Sequence, residues 1–110
     1  MLKKTTLKKI SADDARRILA DVSPGQCFWV NNGPIVRNIY EMADVLANIK
    51  DETFRHHVNS EKNDIANWAR DVLKDDELAL SISKASSNSR IRKTIQRRIK
   101  FLEKKSYTTF

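Results

Sequence analysis

Arg90, Lys93, Arg97, Lys100 and Lys104 recur at i, i+3, i+7, i+10 and i+14, a spacing that places five cations on one side of an α-helix. Such a row suits contact with phosphates. An arginine fork grips a phosphate through two parallel hydrogen bonds, and a lysine acts as a point charge. Arg92, Arg98 and Lys105 flank the row, and Phe101 projects beside it, where a ring can stack on a base or fill a partner's pocket. Ile91, Ile95, Ile99 and Leu102 form a narrow apolar stripe on the other side. The segment is therefore expected to dock by its aliphatic face and present cations outward.

The charge is concentrated there. Of 21 Lys and Arg residues, eight lie between Arg90 and Lys105, against one of the 14 acids, Glu103; the thirteen basic and thirteen acidic residues elsewhere cancel. A solvated outer helix is the plainest reading of a charge run. Against it, like charges at helical neighbour spacing repel by about 0.2–0.5 kcal/mol per pair, and a helix that serves only solubility mixes signs. The expected role is non-catalytic, largely sequence-independent binding of nucleic acid or of a ribonucleoprotein, in ribosomal or chromatin company. With roughly 4 to 6 phosphates neutralised, log K against log salt should slope by roughly −4 to −5. No zinc finger, RNP motif or GXXG loop is present to read a base sequence, and RNA and DNA remain equal alternatives. An acidic protein surface fits the same charge. Anionic lipid fits less well, because the stripe is aliphatic and lacks a Trp anchor.

A second group with chemical potential is His56, His57, Asn59 and Asp64. A functional arrangement would make His57 a base or ligand oriented by Asp64. Adjacent histidines on a helix diverge by about 100°, so they cannot chelate one ion together. No Cys partner and no HExxH motif accompany them. Capping and packing are the expected roles, and neither a metal, a cofactor nor a catalytic residue is assigned; an enzyme is the least favoured class. Trp68 lies on an apolar helical stripe and is expected in the core. Trp29 should face away from Phe28 and Val30 on a strand. Cys27 is expected to be a small buried apolar residue. Asn31-Asn32-Gly33 lacks the context of a phosphate loop and reads as a turn.

The elements that must position these residues follow from length and patterning. The chain has 110 residues, 40% hydrophobic and 32% charged, which suits one domain able to fold without metal or disulfide. No apolar run approaches the roughly 18 residues of a membrane span. The opening MLKKTTLKKI has no apolar stretch behind its charges, and the lone Cys27 fits a reducing compartment, so a cytoplasmic protein is expected. Residues 1–10 read as a basic arm. Ser11 with Asp14 predicts a helix over 12–22. Cys27 to Val30 and Ile35-Val36 read as a β-hairpin around residues 27–36. Further helices are expected from Asn38, from a cap at Asp51, from about Ser60 to Leu73, and from Asp75. Ser83 to Ser89 reads as a polar hinge or loop, with Ser87 or Asn88 capping the basic helix. The expected fold is a mainly α, single compact domain of five or six short helices with a small β-hairpin. Its parts are an arm 1–10, a core 11–83, and a hinge with the basic helix over 84–110.

One stretch resembles a known family. Phe28-Trp29-Val30, Gly33, Ile39-Tyr40-Glu41, Leu46, Glu52-Thr53-Phe54, His57-Val58-Asn59, Asn63-Asp64, Trp68, Asp71-Val72-Leu73 and Asp76-Glu77-Leu78-Ala79 are similar to a small, mainly archaeal domain family without an assigned function. In some bacterial proteins that domain stands beside sugar-nucleotide glycosyltransferase modules. The resemblance covers about residues 27–82, and Ile65 departs from the aromatic that usually follows the family's Asn-Asp. It implies a helical cytoplasmic domain and no activity. Its association with enzymes implies the alternative function, a protein-interaction or regulatory module that docks on an acidic or enzymatic partner through the central helices. It is silent about residues 84–110.

Overall fold

Short polar side chains start most of the helices. Ser11 accepts the N–H of Asp14, whose carboxylate reaches back to the N–H of Ser11, and this capping box opens α1, Ala12–Leu19. Asn38 caps α2, Ile39–Asn48. Asn63 caps α4, Asp64–Asp71, and Asp75 caps α5, Asp76–Ser83. Ser87 caps α6, Asn88–Ser106. Only α3, Asp51–His57, begins without a side-chain cap. The computed structural model of the protein describes residues 9–107, so Lys3, Lys4 and Lys8 of the basic arm lie outside the described residues. Over them the protein is a mainly helical domain of six helices with one two-stranded antiparallel hairpin.

The hairpin joins β1, Phe28–Trp29, to β2, Ile35–Val36, with Phe28 opposite Val36 and Trp29 opposite Ile35. Strand alternation sends Phe28 and Val36 inward and leaves Trp29 70% exposed, as the pattern predicts. Its tight turn has a steric reason. Asn32 takes a positive φ of 56°, and a Cβ on Gly33 would stand 2.8 Å from Cγ1 of Val30. The ribbon is too short to stand alone and rests on α2 through β2.

Inside, α6 packs against α1, α2 and α5, while α4 packs on α5. Ile91, Ile95 and Leu102 are almost fully enclosed with Ile18, Met42 and Ile82. Each such side chain contributes roughly 1.5–3 kcal/mol through burial. Residues 84–110, set apart in the sequence as a polar hinge and basic helix beside a core over 11–83, share that core, and α6 is one of its walls. The supposed hinge is a short turn, because α5 runs through Ser83 and Ser87 already caps α6. Ala85 packs against the core, and Asn88 Nδ2 donates to Leu46 O at 2.8 Å.

Three boundaries also differ. α1 ends at Leu19 rather than residue 22, because Ala20 turns extended and the Val22 N–H bonds Arg37 O at 2.8 Å, joining the chain to the hairpin side. Asp51 is the first residue of α3 and pairs with Arg55; it does not cap the helix. α4 starts at Asp64 instead of about Ser60, because Asn59 to Lys62 form a turn closed by Asn59 N–H to Lys62 O. Cys27 is only partly buried, its thiol directed to Ser23 O. No helix among the described residues is long and apolar enough to cross a membrane.

Candidate nucleic-acid interface

The apolar stripe of α6 turns Ile91, Ile95, Ile99 and Leu102 into the core, and this fixes where the cations go. Arg90, Lys93, Arg97, Lys100 and Lys104 all emerge on the exposed side, Arg92 and Lys105 half-buried at its margins. Arg90, Arg92, Lys93, Arg97 and Lys100 have no side-chain hydrogen bond or ion pair among the described residues.

The arginines elsewhere behave differently. Arg16 pairs with Asp13, Arg37 with Glu41, Arg55 with Asp51 and Arg70 with Asp71, while Arg17 donates to Leu73 O. The guanidinium of Arg37 hydrogen-bonds Glu41 and holds that carboxyl below its ordinary range. Thus the arginines before α6 have their partners supplied within the fold, whereas three of the four in α6 do not.

Arg98 is the fourth, and here the sequence-based assignment needs correction. It does not flank an exposed row; it is buried, 8% exposed. Its Nε and Nη2 donate to the two carboxylate oxygens of Asp75 at 2.8 and 2.9 Å, and Nη1 lies 3.5 Å from Glu77 Oε1. Its guanidinium carbon sits 4.7 Å from the centre of the Phe101 ring. Its charge is already paired with Asp75, so Arg98 supports the surface from behind rather than offering a free cation. Phe101 remains exposed, with one face set against Arg98 and Lys105 Nζ 5.9 Å from its centre.

The row is not a simple ridge. Between α5 and α6 runs a shallow groove of about 490 Å³ in which Arg90, Lys93 and Arg97 face Lys84 and Ser81. Ser81, Thr94 and Arg97 also line a second hollow of about 300 Å³ with Leu78, Glu77, Arg98 and Phe101, so the two hollows are neighbours that share three residues. Lys84, Ser81 and Thr94 were missed in the sequence. The signal was the shortness of the α5–α6 turn, which brings Lys84 beside Arg90.

The His57 group is assembled as well. His57 Nδ1 lies 3.0 Å from Asp64 Oδ2, and Nε2 lies 3.0 Å from the Asn31 backbone nitrogen. The Asn31 N–H can only donate, so Nε2 accepts and the proton sits on Nδ1, donated to Asp64. Burial pushes the Asp64 carboxyl up, but hydrogen bonds from His57 and Lys62 outweigh it and hold the group below its ordinary value. With both nitrogens engaged and Phe28 packed 4.9 Å from the ring, this is a clasp between the hairpin and α3–α4. His56 points elsewhere and is exposed. Trp68 is buried, as expected, and its Nε1 donates to Gln26 O at 2.8 Å. Among the described residues no group of three or more His, Cys, Asp or Glu is placed to hold a metal ion.

The chain matches no protein-family model, no curated protein and no solved structure. Its fold and surface must carry the functional reading.

Proposed function

We propose that the protein binds nucleic acid, free or within a ribonucleoprotein, through the exposed cations of α6, without catalysing a reaction on it. One observation carries this reading: Arg90, Arg92, Lys93, Arg97 and Lys100 lack acidic partners, whereas the arginines outside α6 are engaged within the fold. Unpaired cations at neighbouring helical positions repel one another. A phosphate backbone would relieve that repulsion and release its own counterions. Lys104 and Lys105 extend the surface toward the end of the helix.

Replacing Lys93, Arg97 and Lys100 by Gln tests the proposal. All three are exposed, so the fold should persist while nucleic acid is lost from the purified protein. Copurification from lysate with and without nuclease gives the independent check: company that survives nuclease and the triple substitution would contradict the reading.

A second reading has its own support. Trp29, 70% exposed, and Ile35, 45% exposed, stand opposite each other on the outer face of the hairpin. An apolar pair of this kind suits a protein partner at the hairpin, a different face from the central helices on which the alternative interaction module is expected to dock. Trp29→Ser would then remove a partner that nuclease leaves in place.

A further inference from the structure

The geometry points to a single strand, rather than a duplex, as the nucleic acid that fits this surface. The inference rests on the function proposed above and concerns what kind of polyanion the site selects. The cations do not crown a bare ridge; they line a groove, Lys84 at the C-cap that ends α5 and Arg90, Lys93 and Arg97 on α6, with Ser81 of α5 opposite. A recognition helix that enters a duplex groove must be the protruding element, with its charges free on both flanks. Here α5 lies along one flank.

The groove also changes character along its length. At one end it is cationic, with no acid in its lining. Past Arg97 it passes Thr94 and reaches Leu78 and Phe101, where the lining is more apolar. This sequence of environments matches a nucleotide strand, phosphates at the cationic end and an unstacked base at the ring. Phe101 suits the task because Arg98, locked by Asp75, occupies one ring face and fixes its orientation. Glu77 stands at the same end, available to accept from a base amino group but hostile to a phosphate. In a duplex the bases are stacked inside and offer no free face to this ring.

The test measures fluorescence anisotropy of labelled oligonucleotides of about 12 nucleotides with the full chain. Single-stranded RNA, single-stranded DNA and the blunt duplexes of the same sequence are compared at equal salt. Single strands of either sugar should bind at least roughly tenfold more tightly than either duplex, and the two single-strand arms report which sugar is preferred. Phe101→Leu should weaken single-strand binding by roughly 5- to 100-fold, the value of one stacked base, and leave duplex binding unchanged. Lys84→Gln, on the other wall and outside the core, should weaken it as Lys93→Gln does, and it keeps the test open if the Phe101 variant folds poorly. Equal or tighter duplex binding, or indifference to both substitutions, overturns the single-strand assignment while the proposed function stands. Failure of every oligonucleotide to bind at low salt overturns both.

Discussion

Asp75 grips Arg98 with both carboxylate oxygens, and one of those oxygens also accepts the N–H of Leu78 at 3.1 Å. One buried carboxylate therefore starts α5 and pins α6. Removing either charge strands the other in the interior, which typically costs about 3–5 kcal/mol. Arg98→Met should lower the urea midpoint steeply. Adding Asp75→Asn, which keeps an N-cap side chain but removes the charge, should recover much of the loss. If the double variant is less stable than Arg98→Met, the account of a stranded charge fails.

The exposed cations predict how binding responds to salt. Lys93→Gln or Arg97→Gln should each reduce the magnitude of the log K against log salt slope by about 0.7–0.9, one phosphate's share. Arg92→Gln, half-buried at the margin, should change it less. Titrations at several salt concentrations decide this, and Lys93→Gln and Arg97→Gln slopes equal to that of the native chain would show that the row does not meet phosphates.

The clasp around His57 predicts a tautomer and a pH dependence. Nitrogen chemical shifts should place the proton on Nδ1, because Nε2 accepts from Asn31. His57→Leu leaves that part-buried N–H without its partner and should cost about 0.5–1.5 kcal/mol. Asp64 is held below its ordinary value of 3.8, so its contribution is present above that pH and disappears as pH falls through the lower folded value. Urea midpoints should therefore fall on acidification to about pH 3 less steeply in Asp64→Asn than in the native chain. Identical acid profiles would remove Asp64 from the clasp.

The two glycines separate cleanly. Gly33→Ala brings a methyl group to 2.8 Å from Val30 Cγ1 and should destabilise the protein by about 1–3 kcal/mol. Nothing stands within 4 Å of the position a Cβ would take on Gly25, so Gly25→Ala should be neutral or slightly stabilising. Thermal melts of the two variants make the comparison. Equal midpoints would mean that the turn relaxes around the added carbon.

Much of the fold was legible in the chain because local chemistry and tertiary structure agree. Ser11 and Asn38 are caps in both, Ser87 is the one of the two candidates that caps α6, and the Ile91-Ile95-Ile99-Leu102 stripe is buried as its spacing predicts. Long-range pairing was not legible. Nothing local tells Arg98 from Arg97; a partner 23 residues away draws one inside and leaves the other in water. Asp64 was expected only to cap and pack, yet it pairs with His57, and the Asn31 N–H that occupies the ring's other nitrogen lies 26 positions upstream. Polar composition over 83–89 suggested slack, whereas geometry makes it a tight turn and so places Lys84 opposite Arg90. The site was visible as a row, and its second wall only in three dimensions.

Because α6 is at once a wall of the core and the bearer of the unpaired cations, occupancy and folding are thermodynamically linked. A polyanion that binds only the folded chain stabilises it by about 2.7 kcal/mol at a free concentration one hundred times its Kd. Binding would also lift the mutual repulsion that α6 carries alone. If the proposed function holds, the melting temperature of the protein becomes a gauge of what its groove binds, and in a cell its lifetime would follow the supply of ligand.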